Sequence, residues 1–278
     1  MNQRRSKVVA DEISSLGYEG IVAFDKEEPE YKTFSTLRDE LGNEPYRALL
    51  GICAGTADYQ LAGDAQLFWN ELERVTLDHS QLSSTRDVKE ILGEFMEADV
   101  NARLNQQKRT RLVKLFDDGF ADWFIENYGD TEPLTVWENL ADALDNPMKR
   151  KTIVFAMKVY DIINLIENGS YLDFPQDIPI PCDLQVERVA HTSGITDSES
   201  EGEVMSAWAE VASQVSDELG KSISLLRIDS IVWQSGQIIG DHEPNQHAAR
   251  TALVEHFEEV GIQTDQAEQL AETLTFNM

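Results

Sequence analysis

The 278-residue sequence predicts an all-α protein. Three observations carry that expectation: apolar residues recur at three-to-four spacing in almost every segment, prolines fall where helices begin, and only one stretch, rich in proline, resists a helical reading. In chain order the periodic segments are SKVVADEISSL (6–16), EYKTFSTLRDEL (30–41), YRALLGICAGTADYQL (46–61) and AQLFWNELERV (65–75). They continue with VKEILGEFMEA (88–98), RLVKLFDDGFADWF (111–124) and LTVWENLADAL (134–144). Further helices are expected over 151–166, from 184, and over 203–218, 222–234, 246–260 and 265–273. Pro45, Pro133 and Pro147 lie near helix starts, where a missing N–H costs little. TDSESEGE (196–203) reads as an exposed loop leading into the helix that contains Trp208, and the chain carries no internal repeat.

The exception is YLDFPQDIPIPCD (171–183), where Pro175, Pro179 and Pro181 each disfavour helix at the preceding residue. It reads as a rigid extended connector ending at Asp183. Because LQVERVAHTSG then begins a helix, Asp183 is a natural N-cap.

Composition narrows the function classes. A chain of this length buries a substantial core in one or two domains. No apolar run approaches the roughly 18 residues of a membrane span, and MNQRRSK is not followed by a hydrophobic signal core, so a cytoplasmic location is expected. Cys53 and Cys182 are too few for a disulfide framework or a four-cysteine metal cluster. The five histidines form no HExxH, and Asp241, His242 and His247 read as a solvated loop rather than a metal site.

Charge is more informative. Fifty-one acids against twenty-three bases give a formal charge of −28, which ordinarily argues against nucleic acid as a partner. The acids are spread along the chain, a pattern that fits a very salty cytoplasm. There the Debye length falls to about 3 Å, and only charge local to a contact matters. The bases, in contrast, are clustered. Arg103, Lys108, Arg109, Arg111 and Lys114 form one island, and Lys149, Arg150 and Lys151 a second. Two solvated helix faces would explain them; so would a site for an anionic ligand.

The second island opens the segment KRKTIVFAMK (149–158). Projected at 100° per residue, Lys151, Phe155, Lys158, Ile162 and Leu165 share one sector, with Asp161 and Asn164 well away. Ile153, Met157 and Tyr160 fill the far side, so the helix is expected to be buried nearly all round. Lys158 either lays its stem on apolar surface with its head in water or points into a pocket. Lys151 stands in the first turn, where the helix dipole disfavours a cation, and a free amine is the form that attacks as a nucleophile.

KTIVFAMK followed by DIPIPCD resembles the signature of the archaeal GO glycosylases (AGOG), N-glycosylase/DNA lyases of the helix-hairpin-helix DNA glycosylase superfamily that remove 8-oxoguanine from DNA. EPEYKTF (28–34), YQLAGDAQLFW (59–69) and LLRIDSIVW (225–233) appear in the family's order and spacing, so the resemblance spans essentially the whole chain. It implies a helix-hairpin-helix glycosylase-like fold, residues 1–278 forming one unit of two helical lobes around a cleft. It also implies that Lys151 is the nucleophile and Asp183 its catalytic partner. Phe155 and Lys158 would line the base pocket, with Asp229, Trp233 and Trp69 at the family's remaining substrate positions. Lys149 and Arg150 would grip the DNA.

Two departures stand out. Where the family carries a base-reading glutamine before the tyrosine of the N-terminal block, this chain has Glu30. An ionised glutamate only accepts hydrogen bonds, whereas glutamine also donates, so the lesion that is read is left open. The hairpin before the nucleophile, ALDNPMKRK, has no glycine, so its grip on phosphate is expected to lean on Lys149 and Arg150. The resemblance implies flipping of a damaged base, attack by Lys151 on the sugar, and strand cleavage through a Schiff base, with no metal or organic cofactor. The expected partner is damaged DNA, double- or single-stranded, with no membrane involved and the protein a monomer. A glycosylase for a different damaged base and a non-catalytic helical module that binds nucleic acid or protein are the alternatives.

Overall fold

A computed structural model describes residues 1–79, 81–175 and 178–278, and among these the regular structure is entirely helical. The chain divides into two units, one of residues 1–27 with 175–278 and the other of residues 28–174.

The first unit contains α1 (Gln3–Ser15), α2 (Gly17–Glu27), α11 (Leu184–Thr192), α12 (Glu201–Leu219), α13 (Leu225–His242), α14 (Gln246–Val260) and α15 (Thr264–Leu274). Its core gathers Val9, Ile13, Trp208, Ile228, Phe257 and Leu270, all fully buried. A buried polar network ties α2 to α13: Arg227 Nη1 lies 3.2 Å from Asp25 Oδ2, and Ser230 donates to Asp25 Oδ1 at 2.5 Å. Gln234 Nε2 donates to the Phe24 carbonyl at 3.0 Å. Helices α11 and α13 meet at Gly236, where a Cβ would stand 2.7 Å from the Gln185 carbonyl oxygen, so only glycine permits this approach.

The second unit runs α3 (Pro29–Glu40), α4 (Glu44–Ala57), α5 (Ala65–Asp78), α6 (Thr85–Phe95), a 3-10 turn (Asp99–Asn101), α7 (Asn105–Asp117), α8 (Phe120–Glu126), α9 (Pro133–Ala143) and α10 (Lys151–Asn168). Helix α10 is buried nearly all round, as its projection predicts. It crosses α4 closely: a Cβ on Gly55 would lie 2.9 Å from the Ala156 Cα, and one on Gly51 would overlap the Ile163 side chain. Asp161 is not a solvated edge. It is fully buried, and its carboxylate accepts the Leu172 N–H at 2.7 Å, anchoring the start of the proline-rich connector.

Several expected boundaries shift. Helix α4 stops at Ala57, with Asp58 to Leu61 outside it, and 111–124 splits at Asp118 and Gly119 into α7 and α8. Helix α13 begins at Leu225 rather than 222, and α12 begins inside TDSESEGE, at Glu201. Helix α2 was not expected at all. Glycines at 17 and 20 weaken its propensity, but burial of Ile21, Val22 and Phe24 decides the matter. The connector is non-helical over 171–175 and 178–183; Gln176 and Asp177 lie outside the described residues. Cys53 and Cys182 are both buried, and neither is in a disulfide.

Candidate active site

In the second unit, α9 turns into α10 over Leu144–Arg150. This turn has no glycine, and Asp145 takes the left-handed conformation at φ +50°, one that aspartate tolerates better than most residues. Trp137 Nε1 donates to the Met148 carbonyl at 2.8 Å, and the Asn146 N–H to the Ala141 carbonyl at 3.0 Å, so the turn is fixed. Lys149 and Arg150 are exposed on it.

Lys151, the first residue of α10, is half-buried. Phe155, one turn on, is also half-buried, whereas Lys158 is 1% exposed. The Lys158 head is therefore not in water: its Nζ stands 3.4 Å from Glu28 Oε1. Trp69 on α5 is fully buried, with its ring centroid 6.4 Å from that of Phe155. Its indole N–H donates to Asp58 Oδ2 at 3.1 Å. Glu30, in the first turn of α3, is buried, and its Oε1 has no hydrogen-bond partner among the described residues.

These groups form one electrostatic set. Burial pushes the Asp58 carboxyl up to about 6, against the pull of Lys151, the Trp69 N–H, Lys108 and Lys158. The residue as a whole keeps some surface, but its carboxyl is enclosed. Burial pushes Glu30 well above the ordinary carboxylate range; the Glu28 charge reinforces that shift, and Lys158 opposes it. Asp58 and Glu28 were not anticipated from sequence. Their signals were slight: Asp58 sits directly before the YQLAG block, and Glu28 opens EPEYKTF.

Because the Asp58 value lies above the unfolded 3.8, the folded state holds this proton more tightly than the unfolded one. The stability contribution is full below about pH 4 and lost as pH rises through about 6. Asp58→Asn should therefore gain stability relative to wild type across that window, by up to roughly 3 kcal/mol above it. Urea melts at a series of pH values measure this, and a difference between the two proteins that does not change with pH would contradict it.

The first basic island is not one surface. Lys108 is fully buried, donating to Asn101 Oδ1 at 3.3 Å and lying 5.4 Å from the centre of the Tyr59 ring. Arg109 pairs with Glu97 and Lys114 approaches Asp118. Arg111 instead reaches the N-terminus of α10, donating to Thr152 Oγ1 at 3.0 Å, close enough to Arg150 to feel its charge.

In the first unit, Asp183 caps α11 as expected, its Oδ1 accepting from the N–H groups of Gln185 (2.9 Å) and Val186 (3.1 Å). Asp229 is buried on α13, and Trp233, one turn later on the same face, is half-buried. The glycine contact between α11 and α13 fixes the helix capped by Asp183 against the helix carrying these two. Among the described residues no cluster of histidine, cysteine or carboxylate side chains could hold a metal, and no helix is long and apolar enough to cross a membrane.

The chain is similar to known proteins over most of its length. The AGOG family model, described as N-glycosylase/DNA lyase, matches residues 10–270. An N-glycosylase/DNA lyase of Thermococcus kodakarensis is 27% identical over 236 residues, covering 84% of each chain. One from Methanococcus maripaludis is 26% identical over 75% of this chain and 78% of its own. In structure, the 8-oxoguanine DNA glycosylase of Pyrobaculum aerophilum, solved with 8-oxoguanosine, superposes with a TM-score of 0.70 over 97% of this chain and 96% of its own, at 19% identity. That likeness supports the all-α fold, and the family match extends over nearly the whole sequence: the chain belongs to the AGOG family of N-glycosylase/DNA lyases.

Proposed function

We propose that this protein is a bifunctional DNA glycosylase and AP lyase that removes 8-oxoguanine, with Lys151 as nucleophile and Asp183 as its catalytic partner. The observation that carries this reading is the N-terminal half of α10. It places Lys151 and Phe155 half-exposed at one end of a helix whose Lys158 is buried beside Glu28, with Trp69 and Asp58 packed near them.

In the proposed reaction the damaged base leaves the stack, because its sugar is otherwise unreachable. Phe155 and Trp233 stack on it, and Asp229, Lys158 and Glu30 contact its edge. The lone pair of Lys151 Nζ forms a bond to the anomeric carbon. The glycosidic bond breaks, and the base departs with the bonding electrons and takes up a proton. Asp183 stabilises the positive charge building on the sugar and accepts the proton lost from Nζ. Ring opening gives a Schiff base; removal of a proton from the adjacent sugar carbon then expels the 3′ phosphate, cutting the strand. Lys149 and Arg150, joined by Arg111, hold phosphates at the head of α10. The protein acts as a monomer in the cytoplasm, and these steps draw on its side chains alone.

Borohydride reduction in the presence of an 8-oxoguanine duplex tests the reading, with expected capture of a covalent protein–DNA adduct. A panel of other lesions separates the second reading, a different damaged base, which Glu30 motivates. No adduct with any lesion would defeat both. The assay belongs in molar potassium chloride, because the dispersed acidic charge fits a protein adapted to high salt. Helical circular dichroism should accordingly fall on desalting; a fold indifferent to salt would remove that adaptation from the account.

A further inference from the structure

One group in the second unit with an unmatched buried oxygen is Glu30. It is 1% exposed, yet Oε1 meets no donor among the described residues. The charged groups facing it come from three places. Glu28 precedes α3, Lys158 projects from α10, and Asp58 follows α4. The one cation among them stands against Glu28, at 3.4 Å. Asp58 takes the Trp69 N–H and faces Lys151. A second carboxylate charge beside Glu28 would be buried next to a like charge with one oxygen unmatched, an arrangement that favours the neutral acid.

We propose that Glu30 meets the base as a neutral carboxylic acid, donating through its O–H and accepting through its carbonyl oxygen. The inference rests on the glycosylase reading and adds to it the chemistry by which one edge is read. A neutral acid offers the donor–acceptor pair that an ionised carboxylate lacks. A base carrying adjacent acceptor and donor groups, such as a purine O6 with N1–H, satisfies both of its positions. The orphaned Oε1 then gains its partner only when the base enters, so the cost of leaving it unmet in the free protein becomes discrimination in the complex. Recognition becomes sensitive to rising pH, because loss of the proton turns the donor into a second acceptor and places two negative charges side by side.

The test compares wild type with Glu30→Gln, a neutral side chain of the same shape. Difference infrared spectra of the free proteins should show the carbonyl stretch of a protonated carboxylic acid in wild type that is missing from E30Q. Binding of an 8-oxoguanine duplex, measured from pH 5 to 9, should weaken for wild type relative to E30Q by about tenfold or more as the Glu30 proton is lost. The absence of the infrared band overturns the proposal, as does an affinity ratio that stays flat with pH. Borohydride capture by wild type is scored separately: adducts with a flat ratio sink the neutral acid alone, whereas no adducts with any lesion sink the glycosylase reading beneath it.

Discussion

Lys151→Gln is expected to abolish base release and borohydride-trappable adducts together, lowering turnover on the order of 10⁴-fold or more. Both losses follow from one atom. Without Nζ no bond forms to the anomeric carbon, so no Schiff base arises to be reduced. The substitution is mild for the fold: Lys151 is the first residue of α10, half-buried, and glutamine has nearly the same helix propensity. At pH low enough for Asp58 to be protonated, folded or unfolded, stability should move by about 0.5 kcal/mol or less. A separate signature comes from Asp58, which loses the first of the charges holding its carboxyl down. Its protonation should therefore move to higher pH in the variant, visible in the pH dependence of stability. Retained trapping with Lys151→Gln would assign the nucleophile elsewhere.

The sequence disclosed the candidate helix α10 but not the environment that surrounds it. The burial of α10 was legible because its apolar residues recur on every side, and the Asp183 cap because a proline-rich run ends immediately before a helical period. Asp58, Glu28 and Arg111 were not. Each reaches the site from a different segment, at separations no local period records, and an acid after α4 looks the same in sequence whether solvated or enclosed. Lys108 shows the converse: among clustered bases it reads as part of a solvated face or an anion site, yet it is fully buried over the Tyr59 ring. Helix α2 was hidden because glycine propensity and tertiary burial point in opposite directions, and burial is the larger effect.

Asp183→Asn is expected to lose turnover by about 10²–10³-fold, the range for removing one group aimed at developing charge, while lesion DNA still binds. The choice of asparagine separates two roles held by one side chain. Asp183 Oδ1 accepts the Gln185 and Val186 N–H groups at the start of α11, and an asparagine oxygen accepts the same bonds with nearly equal preference at an N-cap. Helix α11 and its packing on Gly236 of α13 are thus retained, and only the negative charge is removed. Asp183→Ala removes charge and cap together, so it should show the same loss of turnover and about 1 kcal/mol less stability. If Asp183 were only a cap, asparagine would be nearly silent and alanine alone would harm activity, in proportion to unfolding. Thermal melts and single-turnover rates on both variants distinguish the cases. Full activity in Asp183→Asn would confine the carboxylate to holding α11 and leave the proton of Lys151 to another acceptor, for which Asp58 is the buried carboxyl already facing it.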